Sequence, residues 1–186
     1  MAAERAQQQE EEGQVEEAKV VERFEVVRVI AAPAARIFGL LCDPDGHVAI
    51  DSSGMLQAAD GEAVRAAGDS FVVHMDREAL NDRPMGRYDV TVEITRFEQD
   101  TLIEWTPTSP GFQPSVNHHF GYRLRPTADG TEVTSYYDWS RIHERYRAAG
   151  VFPILQESAL RATLGILART VERDVRSVRN VDQYLT

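Results

Sequence analysis

Leu160, Leu164, Leu167, Val171, Val175 and Val178 recur every three or four residues, the spacing that lines up one apolar stripe along a helix. About twenty-five helical residues at ~1.5 Å each reach roughly 38 Å, enough to cross a whole small domain. Before that stripe, residues 55–139 read almost entirely as short strands and turns. An antiparallel sheet must bury its apolar face against something, and this helix is the only long element present to cover it.

The strands are legible from alternation. Val21, Arg23, Glu25, Val27 and Val29 alternate with Glu22, Phe24, Val26, Arg28 and Ile30, and the run stops at Ala31-Ala32-Pro33. Pro33 suits the first turn of a helix, where its missing N–H would be unpaired anyway. Ile37, Leu40 and Leu41 continue that helix, and Asp43-Pro44-Asp45-Gly46 should end it. A short second helix or turn then holds His47, Val48 and Ile50. Strands are expected over 55–58, 70–75, 87–97, 101–105, 116–124 and 131–139. In the clearest of them Tyr88, Val90, Val92 and Ile94 share one face. Residues 76–85, with Asn81-Asp82-Arg83-Pro84, and residues 106–114, with three prolines and a glycine, are expected loops. Asp129-Gly130 signals a hairpin. Residues 141–150 look like a charged linker, and the long helix is expected to start at Phe152-Pro153. Arg173, Arg176 and Arg179 crowd its C-terminal end, where cations suit the helix dipole. Strands in succession followed by a helix, without βαβ alternation, give an α+β class.

At 186 residues the chain has room for one domain plus tails. Residues 1–18 are rich in Glu and Gln and read as an acidic tail, 19–180 as the domain, and 181–186 as a C-terminal tail. A net charge of −10 repels phosphate backbones and anionic lipid, so neither nucleic acid nor a membrane is an expected partner. The single cysteine, Cys42, excludes an internal disulfide and a cysteine-based zinc site, and its apolar neighbours mark it as a buried hydrophobe. No run approaches the ~20 apolar residues of a membrane span. No signal pattern opens the chain, so a cytoplasmic location is expected, as a monomer or a homodimer.

Several phrases resemble the START-related SRPBCC superfamily, the birch-pollen-allergen-like group that includes polyketide cyclases and dehydrases. The opening strand into Ala31-Ala32-Pro33-Ala34-Ala35-Arg36-Ile37-Phe38 is similar to its usual start. The stretch from Phe120 to Pro126, followed by Asp129-Gly130-Thr131-Glu132-Val133-Thr134, resembles its last hairpin, and Phe152-Pro153 fits the approach to its final helix. The segment from His47 to Gly54 resembles a His-xxx-Asp-Gly-Ser-Gly phrase of an actinobacterial-type subgroup, with Ser52 in place of the first glycine. The resemblance covers roughly residues 20–178. It implies a helix-grip fold: a curved antiparallel β-sheet wrapped around a long C-terminal α-helix, with two short helices after the first strand. Such a fold implies an apolar cavity between sheet and helix.

Candidate site residues follow from both readings. His47 and Asp51 lie four apart, so on a helix they share a face, and a carboxylate can orient an imidazole as a general base. The same pair can instead close a turn. His118 shares parity with Phe120, Tyr122 and Leu124 and joins His47 and Asp51 as a catalytic candidate. His118 and His119 point to opposite faces of a strand and cannot share one ion; His74 would add a third ligand only from a neighbouring strand. No metal and no cofactor is expected. The aromatic set suggests an apolar site with a few directional polar groups. Its expected lining is Met75, Tyr88, Val90, Val92, Trp105, Phe120, Tyr122, Tyr137, Trp139, Phe152, Leu160 and Leu164. In the last strand Val133, Ser135, Tyr137 and Trp139 are favoured to face inward. Arg87 and Glu104 could pair within the sheet, surface placement being favoured, and Met85 with Asp82-Arg83-Pro84 could gate the cavity mouth.

Three functions fit. The first is binding of a small hydrophobic or aromatic ligand as carrier or sensor. The second is a polyketide cyclase, aromatase or dehydratase-like enzyme. The third is a protein-interaction module that docks through the acidic tail.

Overall fold

The computed structural model describes residues 22–78 and 84–184, with side chains described through Arg173. The acidic tail, Asn81-Asp82-Arg83, and the side chains of Val175, Arg176, Val178 and Arg179 lie outside that description. The elements run β1 (Arg23–Ile30), α1 (Ala34–Cys42), α2 (Pro44–Ile50), β2 (Leu56–Asp60), β3 (Ser70–Asp76), β4 (Arg87–Glu98), β5 (Leu102–Thr108), β6 (His119–Thr127), β7 (Gly130–Asp138), α3 (Glu144–Ala148) and α4 (Glu157–Tyr184).

The strands form one seven-stranded sheet in the order β1-β7-β6-β5-β4-β3-β2, with every neighbouring pair antiparallel. Register shifts between Leu56 and Ala58 and between Ile94 and Arg96 bend the sheet, since an irregularity of this kind sharpens local twist. Its concave face grips α4, whose Leu160, Leu164, Leu167, Ala168 and Val171 are all buried. Each leucine so buried is worth about 1.5–3 kcal/mol relative to exposure. This is the helix-grip arrangement. The alternation in β1 sorts as read: Val26 and Ile30 are buried, while Val27 and Val29 face out.

The packing divides the inner space in two. At one end α1 drives Ile37, Phe38 and Leu41 against Ile94, Ile103, Leu124 and Val133 of the sheet and Leu167 of α4, leaving a solid core. At the other end the strands carry Val90, Val92, Trp105, Phe120 and Tyr122, and α2, the segment around Phe152 and Ile154 and the start of α4 face them.

Several expected boundaries shift for local reasons. Pro33 sits one residue earlier than expected, at the N-cap of α1, where its carbonyl accepts the N–H groups of Arg36 and Ile37. Asp43-Pro44-Asp45-Gly46 does more than end α1. Asp43 caps α2 by accepting the Asp45 N–H at 3.1 Å, and Pro44 occupies the first turn. β5 runs on through Pro107 to Thr108, beyond the expected end at 105, because β4 continues to pair with it there, while β6 pairs only as far as Trp105. The charged linker contains α3, capped by His143, whose Nδ1 accepts the Arg145 N–H. The long helix begins at Glu157 rather than at Phe152-Pro153, and it continues to Tyr184, past the boundary expected at 180. The segment before it instead packs Phe152 and Ile154 against the core.

Two glycines hold parts of the chain in close approach. Gly130 has φ of +134°, and a Cβ there would lie 2.2 Å from the Ile30 carbonyl oxygen. A Cβ on Gly46 would lie 1.9 Å from the Leu40 carbonyl oxygen, so α2 rests directly on the backbone of α1. Gly46→Ala is therefore expected to force the two helices apart and to cost about 3 kcal/mol or more, at the upper end of overpacking penalties. Urea denaturation checks it; a midpoint equal to that of the parent chain would show that the contact is not held.

Candidate functional site

A cavity of about 310 Å³ lies at the hollow end, partly open to one side. Met75 of β3, Tyr88, Val90 and Val92 of β4, Trp105 of β5, and Phe120 and Tyr122 of β6 form its sheet wall. His47 and Ile50 of α2, Phe152 and Ile154 of the pre-helix segment, and Leu160 and Thr163 of α4 close the opposite side. The aromatic wall is ordered: Trp105 stacks on Phe120 at 6.0 Å and on Tyr122 at 5.8 Å.

His47 is buried, with Nε2 2.8 Å from the Leu41 carbonyl oxygen. A carbonyl only accepts, so Nε2 carries the proton and Nδ1 is the acceptor nitrogen of a neutral ring. Its ring meets Phe71 and Trp105 edge-on, each at 4.9 Å. Burial pushes its pKa down to about 4, against a smaller upward pull from the Leu41 carbonyl.

His118 is more deeply buried. Its Nδ1 lies 3.3 Å from the Tyr137 hydroxyl, and its ring meets Phe120, Tyr137 and Phe152 edge-on. Burial first, and neighbouring His119 second, push its pKa down to about 3. Its backbone carbonyl accepts the Thr106 hydroxyl at 2.8 Å.

Asp51 and His47 do not meet. Asp51 caps the C-terminal end of α2, and its carboxylate accepts the Ser53 N–H, the Ser53 hydroxyl and the Leu56 N–H. Asp51 belongs to the cavity lining, but its charge closes a turn. Ser52 links that turn to α4: its hydroxyl donates to the Ala159 carbonyl and accepts from Thr163.

Most of the expected lining borders the cavity: Met75, Tyr88, Val90, Val92, Trp105, Phe120, Tyr122, Phe152 and Leu160. Tyr137, Trp139 and Leu164 do not; they are core residues behind it. Tyr137 stacks on Phe120 at 4.4 Å, and Trp139 meets Phe24 at 4.7 Å. Val133, Ser135 and Tyr137 are buried on the inner face of β7, Trp139 is buried just past its end, and Ser135 reaches the cavity beside Tyr122. Met85 also borders the cavity.

Sequence reasoning missed four features. Phe71 backs His47. Tyr122 and Ser135 share a hydrogen bond, while burial drives the Tyr122 phenol up to about 12. Arg77, in a stretch read as a polar loop, is buried and borders the cavity. Glu104 does not pair with Arg87; it is buried on the outer face, accepting the Tyr136 hydroxyl at 2.9 Å and the Thr95 hydroxyl at 3.1 Å. Arg87 instead meets Asp76 at the exposed surface. For Phe71 the alternation of β3 was an available signal; the other three depend on strand register and loop path.

The remaining histidines separate. His119 is directed toward Asn117 and Glu104, away from His118. His74 lies on the exposed surface, with Asp60 and Asp89 on its two ring nitrogens at 2.9 and 2.7 Å, which raises its pKa. Among the described residues no group of three or more His, Cys, Asp or Glu could hold a metal ion. Cys42 is buried, and burial raises its thiol to about 11, so it is an inert packing residue.

No family model and no curated protein matches the chain. Solved structures do. A protein from Mycobacterium smegmatis superposes with a TM-score of 0.57 at 15% identity, over 82% of this chain and 92% of that one. A protein from Mesorhizobium loti gives 0.55 at 17%, over 81% and 97%. An AHSA1-like protein from Aeromonas hydrophila gives 0.52 at 16%, over 82% and 93%. At these identities the likeness is one of fold, the helix-grip fold that the sequence phrases imply.

The histidines set a pH dependence. An unfolded histidine titrates near ~6.5. Between there and the folded values of about 4 for His47 and about 3 for His118, the unfolded chain binds more protons, so stability falls as pH drops through that window. His74 acts oppositely: its contribution is present below its unfolded pKa and lost as pH rises through its raised folded value. Urea midpoints measured from pH 7.5 to 4 should therefore fall, by the equivalent of a few kcal/mol. His74→Gln should steepen the fall; a flat profile in both proteins contradicts the assignment.

Proposed function

We propose that this chain binds a small hydrophobic or aromatic molecule in the cavity between sheet and α4, as a carrier or sensor. The observation that supports this reading is the cavity itself: about 310 Å³ walled mainly by aromatic and aliphatic side chains, with only a few polar atoms. Natural cores pack without voids of this size, so a space walled by Trp105, Phe120 and Tyr122 is best understood as room kept for a guest. Affinity would come chiefly from apolar burial, roughly 25 cal/mol per Å² before ordering costs. Residues 19–180 form the unit that carries this function. No helix among the described residues is long and apolar enough to cross a membrane. The cytoplasm is the compartment we propose.

A second reading, a cyclase- or dehydratase-like enzyme, draws on the buried histidines. A strong general base needs a pKa near the working pH and an orienting partner. His47 is backed by a carbonyl and His118 by a phenol, and both pKa values lie far below neutrality. Binding is therefore favoured over proton abstraction. A protein-docking module would instead present a broad exposed apolar groove. Among the described residues the exposed large apolar side chains are Val27 and Val29 on the edge strand β1.

Native mass spectrometry of the protein purified from its own host is the test. The expected spectrum carries a small-molecule adduct that is lost in Val90→Phe, whose added ring fills the cavity, while circular dichroism stays unchanged. A folded parent protein that never carries an adduct, even from concentrated extract, overturns the reading.

A further inference from the structure

The two cavity histidines have fixed and opposite hydrogen-bonding characters. Nε2 of His47 donates to Leu41, which leaves Nδ1 as a pure acceptor. At His118 the assignment runs through Tyr137. That hydroxyl shares a hydrogen bond with the Ile154 backbone, and Nδ1 of His118, 3.3 Å away, is in reach of its hydrogen; the geometry points to Nδ1 as the acceptor. Nε2 of His118 is then an N–H donor. Both side chains are more than nine-tenths buried, at 7% and 4% exposure. Among the described residues neither remaining nitrogen is given a hydrogen-bond partner. Both residues line the cavity. A buried donor and a buried acceptor left unmatched are costly, so the two mark polar positions for a guest.

Aromatic rings join them. Trp105 lies 4.9 Å from His47, Phe120 is nearly parallel to Trp105 at 21° and 6.0 Å, and His118 lies 5.4 Å from Phe120. The order is acceptor, flat wall, donor. Among the described residues two ionised side chains belong to the cavity lining, Asp51 and Arg77, and they are of opposite sign. Asp51 is taken up by Ser53 and Leu56, and Arg77 is also engaged by other groups.

Resting on the binding reading above, we propose that the cavity selects a flat, uncharged aromatic molecule carrying a hydroxyl at one end and a carbonyl-type oxygen at the other. The hydroxyl donates to Nδ1 of His47. The oxygen accepts from Nε2–H of His118. The body of the molecule lies along the rings of Trp105 and Phe120.

Isothermal titration calorimetry of the full chain at neutral pH tests this with four naphthalene probes. These are 6-acetyl-2-naphthol, its methyl ether, unsubstituted naphthalene and 6-hydroxy-2-naphthoate. The acetylnaphthol should bind about ten-fold more tightly than the ether, the worth of one buried hydrogen bond. The carboxylate probe should bind more weakly than the acetylnaphthol. His47→Phe should bring the ratio of acetylnaphthol to ether affinity close to one. His118→Phe should weaken both ketones while keeping their ratio. If naphthalene binds and the hydroxyl adds nothing, the polar recognition is overturned and the binding reading stands. If the carboxylate binds tightest, the uncharged assignment is overturned. If no probe binds, both the inference and the reading beneath it fail. Should either variant not fold, the comparison of probes on the parent chain decides alone.

Discussion

A straight helix cannot fill a curved trough along its whole length. That mismatch underlies most of what this fold does. α4 lies along the concave face of a seven-stranded sheet and buries its stripe from Leu160 to Val171. At the end where α1 joins it, Ile37, Phe38 and Leu41 take up the remaining space. At the other end α2 is only seven residues long, too short to fill the trough. The hollow is what remains.

The polar character of the hollow follows from how α2 is placed. Gly46 lets that helix rest on the Leu40 carbonyl, and the next residue, His47, reaches the Leu41 carbonyl in the last turn of α1. The imidazole is thereby pinned among Phe71 and Trp105 and kept out of water. Desolvation then holds it neutral, as it does His118 across the wall. Backbone proximity, tautomer and charge state are three consequences of one contact.

The architecture was largely legible in the sequence. Period-two alternation in β4 marked Tyr88, Val90 and Val92, and the stripe in α4 marked Leu160, because both signals are local and repeat over many residues. The His47–Asp51 relation was not legible. A spacing of four brings side chains together only inside a continuous helix, and α2 stops at Ile50. Asp51 has ψ of 124°, outside the helical range, so its carboxylate turns toward Ser53 and Leu56. The partner of His118 was hidden for a different reason. Tyr137 is nineteen residues away and is brought near by the pairing of β6 with β7, and register is a property of the folded sheet. Tyr137 and Trp139 face inward as the alternation favoured. Parity assigns a face, however, and not a place along the strand, so it could not separate core from cavity wall.

The division into a solid and a hollow end also bears on how such a chain can change over generations. Residues at the solid end carry the folding free energy, so exchanges there are filtered by whether the protein survives. Residues around the hollow make fewer obligatory contacts, and many exchanges among them leave the framework standing. Descendants of one ancestral chain can therefore diverge in what they hold while preserving the same scaffold.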